Sequence, residues 1–426
     1  MLDIKFVREN PEIVRKNLEK RQDREKVQWL NDLIKKDKEY RKLLQVNQEL
    51  RHKRNLITEE INQLKKQGRD ITKKIKEAKE LPKKIKECEE KIAKLKERIT
   101  FYLMRLPNIL HDSVPVGKDE SDNKVIRKWG EIPKFYFELK PHGELIEKLG
   151  LANFSSAVKV SGRGFYYLLG ELALMDLALQ RFAIDSLIKK GYKLIEPPLM
   201  LRRKPYEGVT DLKDFETMMY KVEGENEDLF LIATSEHPIG AMMMGKVFDE
   251  EELPLKFCGV SSCFRKEIGS HGIDEKGLFR VHQFNKVEQF IFCKPEESWE
   301  FHEELIKNAE VLFQKLKLPY RVVNICTGDI GTVASKKYDL EVYMPREKAY
   351  KEVVSCSNCT SYQAVRLNIR YKKGNEKDYV HTLNSTAIAT GRTIKAIIEN
   401  YQQKDGSIAI PKALQPYMGN IRIIGK

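Results

Sequence analysis

Between Leu43 and Tyr102, apolar residues return at intervals of four and three, and no other feature limits so strongly how this chain can fold. Leu43, Asn47, Leu50, Arg54, Ile57, Ile61 and Leu64 make one seam; Ile71, Ile75, Ala78, Leu81, Ile85, Cys88, Ile92, Leu95, Ile99 and Tyr102 make a second. A seam with this heptad spacing is buried only when another helix lies against it. Gln67 to Asp70 read as a turn between the two, so the helices fold back as an antiparallel hairpin over about residues 30–102. At a rise of about 1.5 Å per residue, arms of ~35 to 40 residues reach roughly 50 to 60 Å. Pro82 falls inside the second arm, where its ring and missing N–H predict a kink. Ahead of the hairpin, residues 1–26 read as an apolar strand-like or turn segment, then a short helix with Asn10 as N-cap and Pro11 as first residue.

Charge separates this part from the rest. The chain of 426 residues carries +14, and its first 100 residues hold 30 basic and 19 acidic side chains, which leaves +3 for the other 326. Basic residues crowd the hairpin: Lys35, Lys36, Arg41, Lys42, Arg51 and Lys53 on the first arm, and Lys65, Lys66, Arg69, Lys73 and Lys74 near the turn. Such a surface suits a polyanion held by shape and phosphate contact, although lysine-rich helices also serve solubility and many coiled coils are spacers or dimerisation devices. No apolar run is long enough to span a bilayer, and Met1 to Lys20 is too charged for a signal peptide. Seven cysteines spread over a large chain fit reduced thiols in a cytoplasmic protein. Cys356 and Cys359 form a C-x-x-C, but a structural zinc site takes four ligands. Cys88, Cys258, Cys263, Cys293 and Cys326 supply no second pair at that spacing, so no zinc is expected.

Residues 107–133 lose all periodicity and collect Pro, Gly, Asp and Ser, the composition of a linker. From 134 onward the pattern is mixed helix and strand. Gly170 to Gly191 reads as a buried or interfacial helix, apolar on more than one stripe. Tyr192–Ile195 reads as a strand ending at Pro197-Pro198. A short strand, Leu229–Ala233, delivers Thr234-Ser235-Glu236, which in isolation is a helix N-cap with a first-turn acid. Phe257–Phe264 and Leu278–Phe292 alternate with period two around a Gly-containing loop (Gly269, Gly272, Gly277), so they predict a long antiparallel hairpin. On its second arm Arg280, His282, Phe284, Lys286 and Glu288 share one face. A guanidinium, an aromatic plate and a carboxylate together suit a phosphate, a base and an amino acid; a charged, solvated hairpin is the plainer alternative. Further on, Ser298–Leu316 reads as a helix, and Tyr320–Val323, Leu340–Tyr343 and Lys351–Arg366 as strands. Glu352 and Ser355, three apart, need a bulge or a strand end to face the same way. His381 to Arg392 leads small residues into a helix from Thr393, an anion-receptive terminus.

The run from Phe264 to Phe290 resembles motif 2 of the class II aminoacyl-tRNA synthetases in the form found in seryl-tRNA synthetases. Phe-Arg-x-Glu, a Gly-containing loop and Arg-x-His-Gln-Phe-x-Lys-x-Glu stand in order. The helix, strand and Pro198 resemble motif 1, and the segment ending at Arg392 resembles motif 3. The basic hairpin, the linker wording, the Thr-x-Glu and the Glu-x-x-Ser also match the family, so the resemblance covers nearly the whole chain. There are two departures. Asn384-Ser385-Thr386 replaces a frequent Asn-Gly-Ser, which moves the substrate-facing hydroxyl to Thr386. Ile273 to Lys276 replaces a frequent Arg-Asp-Thr-Arg in the loop that meets the tRNA acceptor end.

The resemblance implies an α+β protein: an N-terminal tRNA-binding domain (1–106), a linker (107–133) and a catalytic domain (134–426) on a mainly antiparallel sheet flanked by helices. It implies ATP-dependent attachment of L-serine to tRNA(Ser) through seryl-adenylate, with charging of tRNA(Sec) left open, by a cytoplasmic homodimer. By motif, Arg265 and Arg392 are catalytic. Thr234, Ser235, Glu236, Arg265, Glu288 and Thr386 hold serine. Arg265, Lys266, Glu267, Arg280, Val281, Phe284, Glu352, Val353, Val354, Ser355 and Arg392 hold ATP, with Glu352 and Ser355 on its Mg²⁺. Lys35, Lys36, Arg41, Lys42, Arg51 and Lys53 meet the tRNA. Two alternatives stand beside this. A relative that loads a carrier protein would have little use for the basic hairpin, and a non-catalytic tRNA-binding protein would not need Arg265, Glu288, Glu352 and Arg392. No Walker-type or Rossmann-type glycine pattern competes for the nucleotide.

Overall fold

The computed structural model describes residues 1–211, 217–224, 228–267 and 276–425. The fold divides into two units, Met1–Pro107 and Asn108–Lys426. In the first, the helices are α1 (Ile4–Glu9), α2 (Pro11–Lys20), α3 (Arg24–Lys66) and α4 (Thr72–Arg105). The opening segment, expected to be strand-like or a turn, is helix α1. Its start is fixed by the Asp3 carboxylate accepting from the Lys5 N–H at 2.6 Å, a local hydrogen bond that apolar spacing does not reveal. Pro11 opens α2 as expected, but Asn10 donates its amide to the Phe6 carbonyl (3.3 Å) and makes no side-chain cap.

Helices α3 and α4 pair as the antiparallel hairpin. Asp32 meets Tyr102, the Leu43 carbonyl meets the Cys88 thiol, and the ion pairs Arg51–Glu89, Lys53–Glu77 and Glu60–Lys74 follow toward the turn. Ile57, Leu81, Ile85, Cys88, Ile99 and Tyr102 are buried along the seam. Arg54 is exposed, because its guanidinium leaves the seam for water. Pro82 lies within α4 without ending it. At the turn Gly68 takes φ +65°, and the Arg69 N–H reaches back to the Leu64 carbonyl (3.0 Å), satisfying the end of α3.

The second unit contains, in chain order, β1 (Lys124–Trp129), α5 (His142–Lys148), α6 (Gly170–Ile188), β2 (Lys193–Ile195), α7 (Glu236–Met242), β3 (Leu255–Phe264), β4 (Gln283–Cys293), α8 (Ser298–Lys315), β5 (Tyr320–Asn324), β6 (Lys336–Met344), β7 (Ala349–Thr360), α9 (Tyr362–Leu367), β8 (His381–Ala389) and α10 (Thr390–Tyr401), with shorter pieces between. The eight strands form one sheet in the order β1-β5-β6-β7-β8-β4-β3-β2. Every neighbour is antiparallel except β2, which runs parallel to β3. No helix among the described residues is long and apolar enough to cross a membrane.

In the second unit three stretches differ from the sequence expectation. Residues 124–129, read as linker, form the edge strand β1 and pair with β5 from Lys124 opposite Asn324 to Trp129 opposite Tyr320; an edge strand open to solvent has no apolar alternation to betray it. The second hairpin arm begins at Gln283 and not at Leu278. The Leu278 N–H is taken by His142 Nε2 (3.2 Å) and the His282 N–H by the Gly164 carbonyl (2.8 Å), so neither joins the ladder. The run Lys351–Arg366 is strand only to Thr360, whose φ of +47° ends it, and continues as α9.

Strand β4 shows how the sheet sorts its residues. Val287, Ile291 and Cys293 point into the main core, which also holds residues of α6, α8 and α10. Phe290 and Phe292 point the other way, into a second core with Tyr206, Phe248 and Tyr371. On that same side, nearer the start of the strand, Phe284, Lys286 and Glu288 face a cleft. Period-two geometry therefore uses one strand for the core and the cleft together. Opposite Glu288 stands Gly259. A Cβ there would lie 2.8 Å from Ser235 Oγ and 2.6 Å from Ile239 Cδ1, so the missing side chain lets the start of α7 close on the sheet. Gly259→Ala is expected to destabilise the fold by about 1–3 kcal/mol through overpacking. A lowered urea midpoint checks this; an unchanged midpoint would show that α7 yields without cost.

Candidate active site

The cleft has a volume of about 400 Å³ and is lined from β4, β7, β8, the start of α7 and the start of α10. Its most enclosed end holds two carboxylates. Glu288 is 1 % exposed, and its Oε2 pairs with Lys286 Nζ (2.5 Å) and accepts from Thr386 Oγ1 (3.4 Å). Lys286 also donates to Thr234 Oγ1 (2.7 Å), which in turn accepts from the Glu236 N–H (3.2 Å). Glu236 Oε1 accepts from Gln363 Nε2 (2.8 Å) and Asn384 Nδ2 (3.0 Å). The Thr386 position depends on a bulge. Val287 lies opposite Ile388 but Glu288 lies opposite Thr386, so Ala387 is the extra residue and Thr386 is turned toward the carboxylate. Burial, and next the charge of Glu288, push the Glu236 carboxyl up to about 7 against the pull of Lys286. Burial also raises Glu288, with Lys286 and Arg265 opposing it.

A second group lines the rest of the cleft. Arg392 stands in the first turn of α10, and its NH1 reaches the Glu352 carbonyl (3.0 Å) and carboxylate (3.4 Å). Its guanidinium lies 4.8 Å from the ring centroid of Phe279. Burial would raise Glu352, but Arg392, Lys337 and Arg265 outweigh it and hold the carboxyl below its ordinary range. The spacing question is resolved by a bulge: Glu341 lies opposite Glu352 and Leu340 opposite Val354, so Val353 is extra and both Glu352 and Ser355 line the cleft. Arg265 lies between the two groups. It lowers Glu236, Glu288 and Glu352 alike, donates to the Ala233 carbonyl (3.4 Å) and sits 5.3 Å from the Phe284 ring centroid.

Of the residues expected from the sequence, Thr234, Glu236, Arg265, Glu267, Val281, Phe284, Glu288, Glu352, Val353, Ser355, Thr386 and Arg392 line this one cleft. Four do not. Ser235 is buried at the N-cap of α7, and its Oγ has no hydrogen-bond partner among the described residues. Lys266 turns its ammonium toward the Tyr220 ring (5.9 Å). Arg280 precedes β4 and pairs with Glu267 at 3.8 Å. Val354 faces the helices in the main core, as period two requires of the residue before Ser355. Cys356 and Cys359 part in the same way, the first into the core and the second into the cleft wall. Of the loop residues singled out, Gly269, Gly272 and Ile273 to Glu275 lie outside the described residues, while Lys276 pairs with Glu147 at 2.7 Å. Sequence reasoning assigned no role to Lys286, Asn384, Gln363, His237 or Phe279. Lys286 carried a signal, since it shares the face of Glu288 two residues away; Gln363 lies on another element 127 positions from Glu236 and carried none.

An enclosed end with two carboxylates and hydroxyls suits a zwitterion. The arginines, the Phe284 plate and the Glu352–Ser355 oxygens suit a nucleotide polyphosphate, with Arg265 where the two would meet. On an antiparallel sheet lacking a glycine phosphate loop, this defines a class II aminoacyl-tRNA synthetase. Residues 220–401 match the tRNA synthetase class II core domain (G, H, P, S and T), and residues 1–110 match the seryl-tRNA synthetase N-terminal domain. The serine--tRNA ligase of Methanocella arvoryzae is 58% identical over 427 residues, covering 100% of both chains. The crystal structure of seryl-tRNA synthetase from Pyrococcus horikoshii complexed with ATP superposes with a TM-score of 0.94 at 51% identity, covering 100% of this chain and 99% of that one. A cytoplasmic serine-tRNA ligase from Naegleria fowleri in complex with AMP gives 0.88 at 40% identity, covering 100% and 98%. The chain belongs to the seryl-tRNA synthetases: it is an enzyme that attaches serine to tRNA in an ATP-dependent reaction.

Because Glu236 titrates near neutrality, an ammonium group seated against it binds better once the proton has left. The kcat/KM for serine is expected to rise as pH increases through about 7, with KM for ATP unchanged, and Glu236→Gln is expected to flatten the rise. Steady-state kinetics between about pH 6 and about pH 8 check this.

Proposed function

We propose that L-serine is seated at the enclosed end of the cleft and ATP along the remainder, and that both half-reactions proceed there. The observation that carries this is the hydrogen-bonded set Thr234–Lys286–Glu288–Thr386 beside Glu236, with Arg265 at its mouth. A serine carboxylate oxygen attacks the α-phosphorus of ATP while the bond to pyrophosphate breaks. Arg265 holds the carboxylate and the α-phosphate together, and Phe284 stacks on adenine. Arg392 holds the outer phosphates. The terminal ribose hydroxyl of the tRNA then attacks the seryl carbonyl carbon, and AMP leaves. Neither step needs a covalent enzyme intermediate, so positioning and charge stabilisation supply the catalysis.

Glu236 pairs with the serine ammonium, and Glu288 and Thr386 receive its hydroxyl. A site built to bond a hydroxyl rejects alanine because the carboxylate is otherwise left unsatisfied. Glu352, kept ionised by Arg392, and the Ser355 hydroxyl are hard oxygen donors that fit Mg²⁺ on the ATP phosphates. Among the described residues no three His, Cys, Asp or Glu side chains could hold a metal together, which suits an ion that takes its other ligands from phosphate and water. When bound, the ion supplies neutralisation of phosphate charge.

The hairpin of the first unit is assigned to tRNA(Ser). On it, Lys35, Lys36 and Lys42 form no ion pair among the described residues, while Arg41, Arg51 and Lys53 are held by Asp37, Glu89 and Glu77 and reach phosphate only by exchanging partners. Homodimerisation is assigned to α6 and the edge strand β2, where Leu177 is 63% exposed and Leu174 and Ile188 on the helix and Leu194 on the strand are also open. We assign the enzyme to the cytoplasm, a compartment where charged tRNA is used.

Glu288→Ala is expected to lower serine-dependent ATP–pyrophosphate exchange about 100-fold or more while ATP affinity changes by less than about twofold. Exchange kinetics and ATP titration calorimetry check this, and unchanged serine turnover removes Glu288 from the pocket. Deletion of residues 40–100 is expected to spare exchange and to lower tRNA charging by at least about 100-fold. Equal charging by the shortened chain removes the hairpin from tRNA recognition.

A further inference from the structure

Lys286 is a charged side chain placed where charge is most costly. Its Nζ is enclosed, with 7% of the side chain exposed, against 2% for Glu288. Lone buried charges are rarely tolerated, and an ion pair of this kind adds little stability compared with apolar residues of the same volume. Its presence therefore calls for a reason other than stability.

The geometry supplies one. Both contacts to the Glu288 carboxylate, from Lys286 and from Thr386, fall on Oε2. Oε1 takes no hydrogen bond among the described residues. The same ammonium donates to Thr234 Oγ1 at 2.7 Å, so the Thr234 proton is directed elsewhere. Lys286 thus orients one hydroxyl and one carboxylate from two different elements, the entry to α7 and strand β4. Arg265, Lys337 and Arg392 provide other cations to the same cleft.

We infer that Lys286 is a specificity-determining positioning residue, which holds Glu288 as an ionised, acceptor-only carboxylate with Oε1 presented to the substrate side chain. A neutral Glu288 carries its own O–H donor, which a carbonyl oxygen can accept, and would no longer require a donor from the substrate. An ionised one is left unsatisfied by any amino acid lacking a hydroxyl. This rests on the serine pocket proposed above and names what sets its selectivity. The charges acting on Glu288 are Lys286 and Arg265, which lower it, and the Glu236 carboxyl; the Cys263 thiol on its own side of the sheet and the Cys356 thiol on the core side lie within its electrostatic reach, and burial raises both. Lys286 is the largest of the opposing influences, and without it burial is opposed by Arg265 and the Thr386 hydrogen bond alone among those named.

The experiment is ATP–pyrophosphate exchange by the full chain carrying Lys286→Met, with serine and alanine supplied separately across a range of pH. The preference for serine over alanine is expected to fall about tenfold or more, through serine KM and with ATP KM unchanged, and the rise of serine kcat/KM with pH is expected to move to higher pH. An unaltered preference with an unaltered pH midpoint overturns the proposal. If Lys286→Met does not fold, Lys286→Met is combined with Glu288→Gln, which removes both buried charges, and compared with Glu288→Gln alone. Equal serine KM in the two supports action through Glu288, and a further loss of about tenfold overturns it. Absence of serine-dependent exchange in the unaltered chain instead removes the pocket reading, and this proposal with it.

Discussion

The antiparallel pairing of β3 with β4 is the constraint on which the rest of the second unit depends. Its register runs without interruption from Phe264 opposite Gln283 to Leu255 opposite Phe292, and it decides which residues of β4 face the helices and which face the cleft. A slip of one residue would carry Val287 and Ile291 into the cleft and bury Lys286 and Glu288 against α6 and α8. With that register set, the two bulges on neighbouring strands complete the site. Ala387 turns Thr386 toward Glu288, and Val353 brings Glu352 and Ser355 to one side. The chemistry is thus carried mostly by strands, whose positions are fixed by ladders of hydrogen bonds on both sides.

Electrostatics then sets the character of each part. Burial raises both Glu288 and Glu236, and the charge of Glu288 raises Glu236 further. Lys286 and Arg265 oppose this from within the sheet, and the amides of Gln363 and Asn384 supply neutral donors to Glu236. Glu352, in the other group, is held below its ordinary range by Arg392, Lys337 and Arg265, with 42% of its side chain open. Arg265 acts on both groups, which fits the place where a carboxylate and a phosphate must be brought into contact.

Much of this was legible in the sequence, for identifiable reasons. The hairpin of α3 and α4 was visible because a seam from Leu43 to Tyr102 repeats over many turns, and the two strands around the cleft because alternation with bounding glycines is a local signal. The need for a bulge between Glu352 and Ser355 followed from counting alone, and Val353 is that bulge. What stayed hidden depends on partners distant in sequence. Strand β1 exists because β5 offers an edge, and Gln363 reaches Glu236 only after α9 packs beside the helix Arg203–Val209, whose Val209 carbonyl also accepts from the Gln363 amide. The early end of the second hairpin arm came from His142 and Gly164 capturing backbone N–H groups, which no pattern within that arm could disclose. Motif spacing located Arg265, Glu288 and Arg392 correctly in the cleft, but it could not tell that Val354 and Ser235 turn away from it.

The central claim is that the enclosed end of the cleft accepts serine because a buried carboxylate demands a hydroxyl donor. ATP–pyrophosphate exchange by the unaltered chain, with each of the common amino acids supplied separately and no tRNA present, tests it most directly. Exchange with serine, and with glycine and alanine lower by at least about a thousandfold, is the result expected of such a site. Comparable exchange with alanine, or a preference for an amino acid without a hydroxyl, would contradict it.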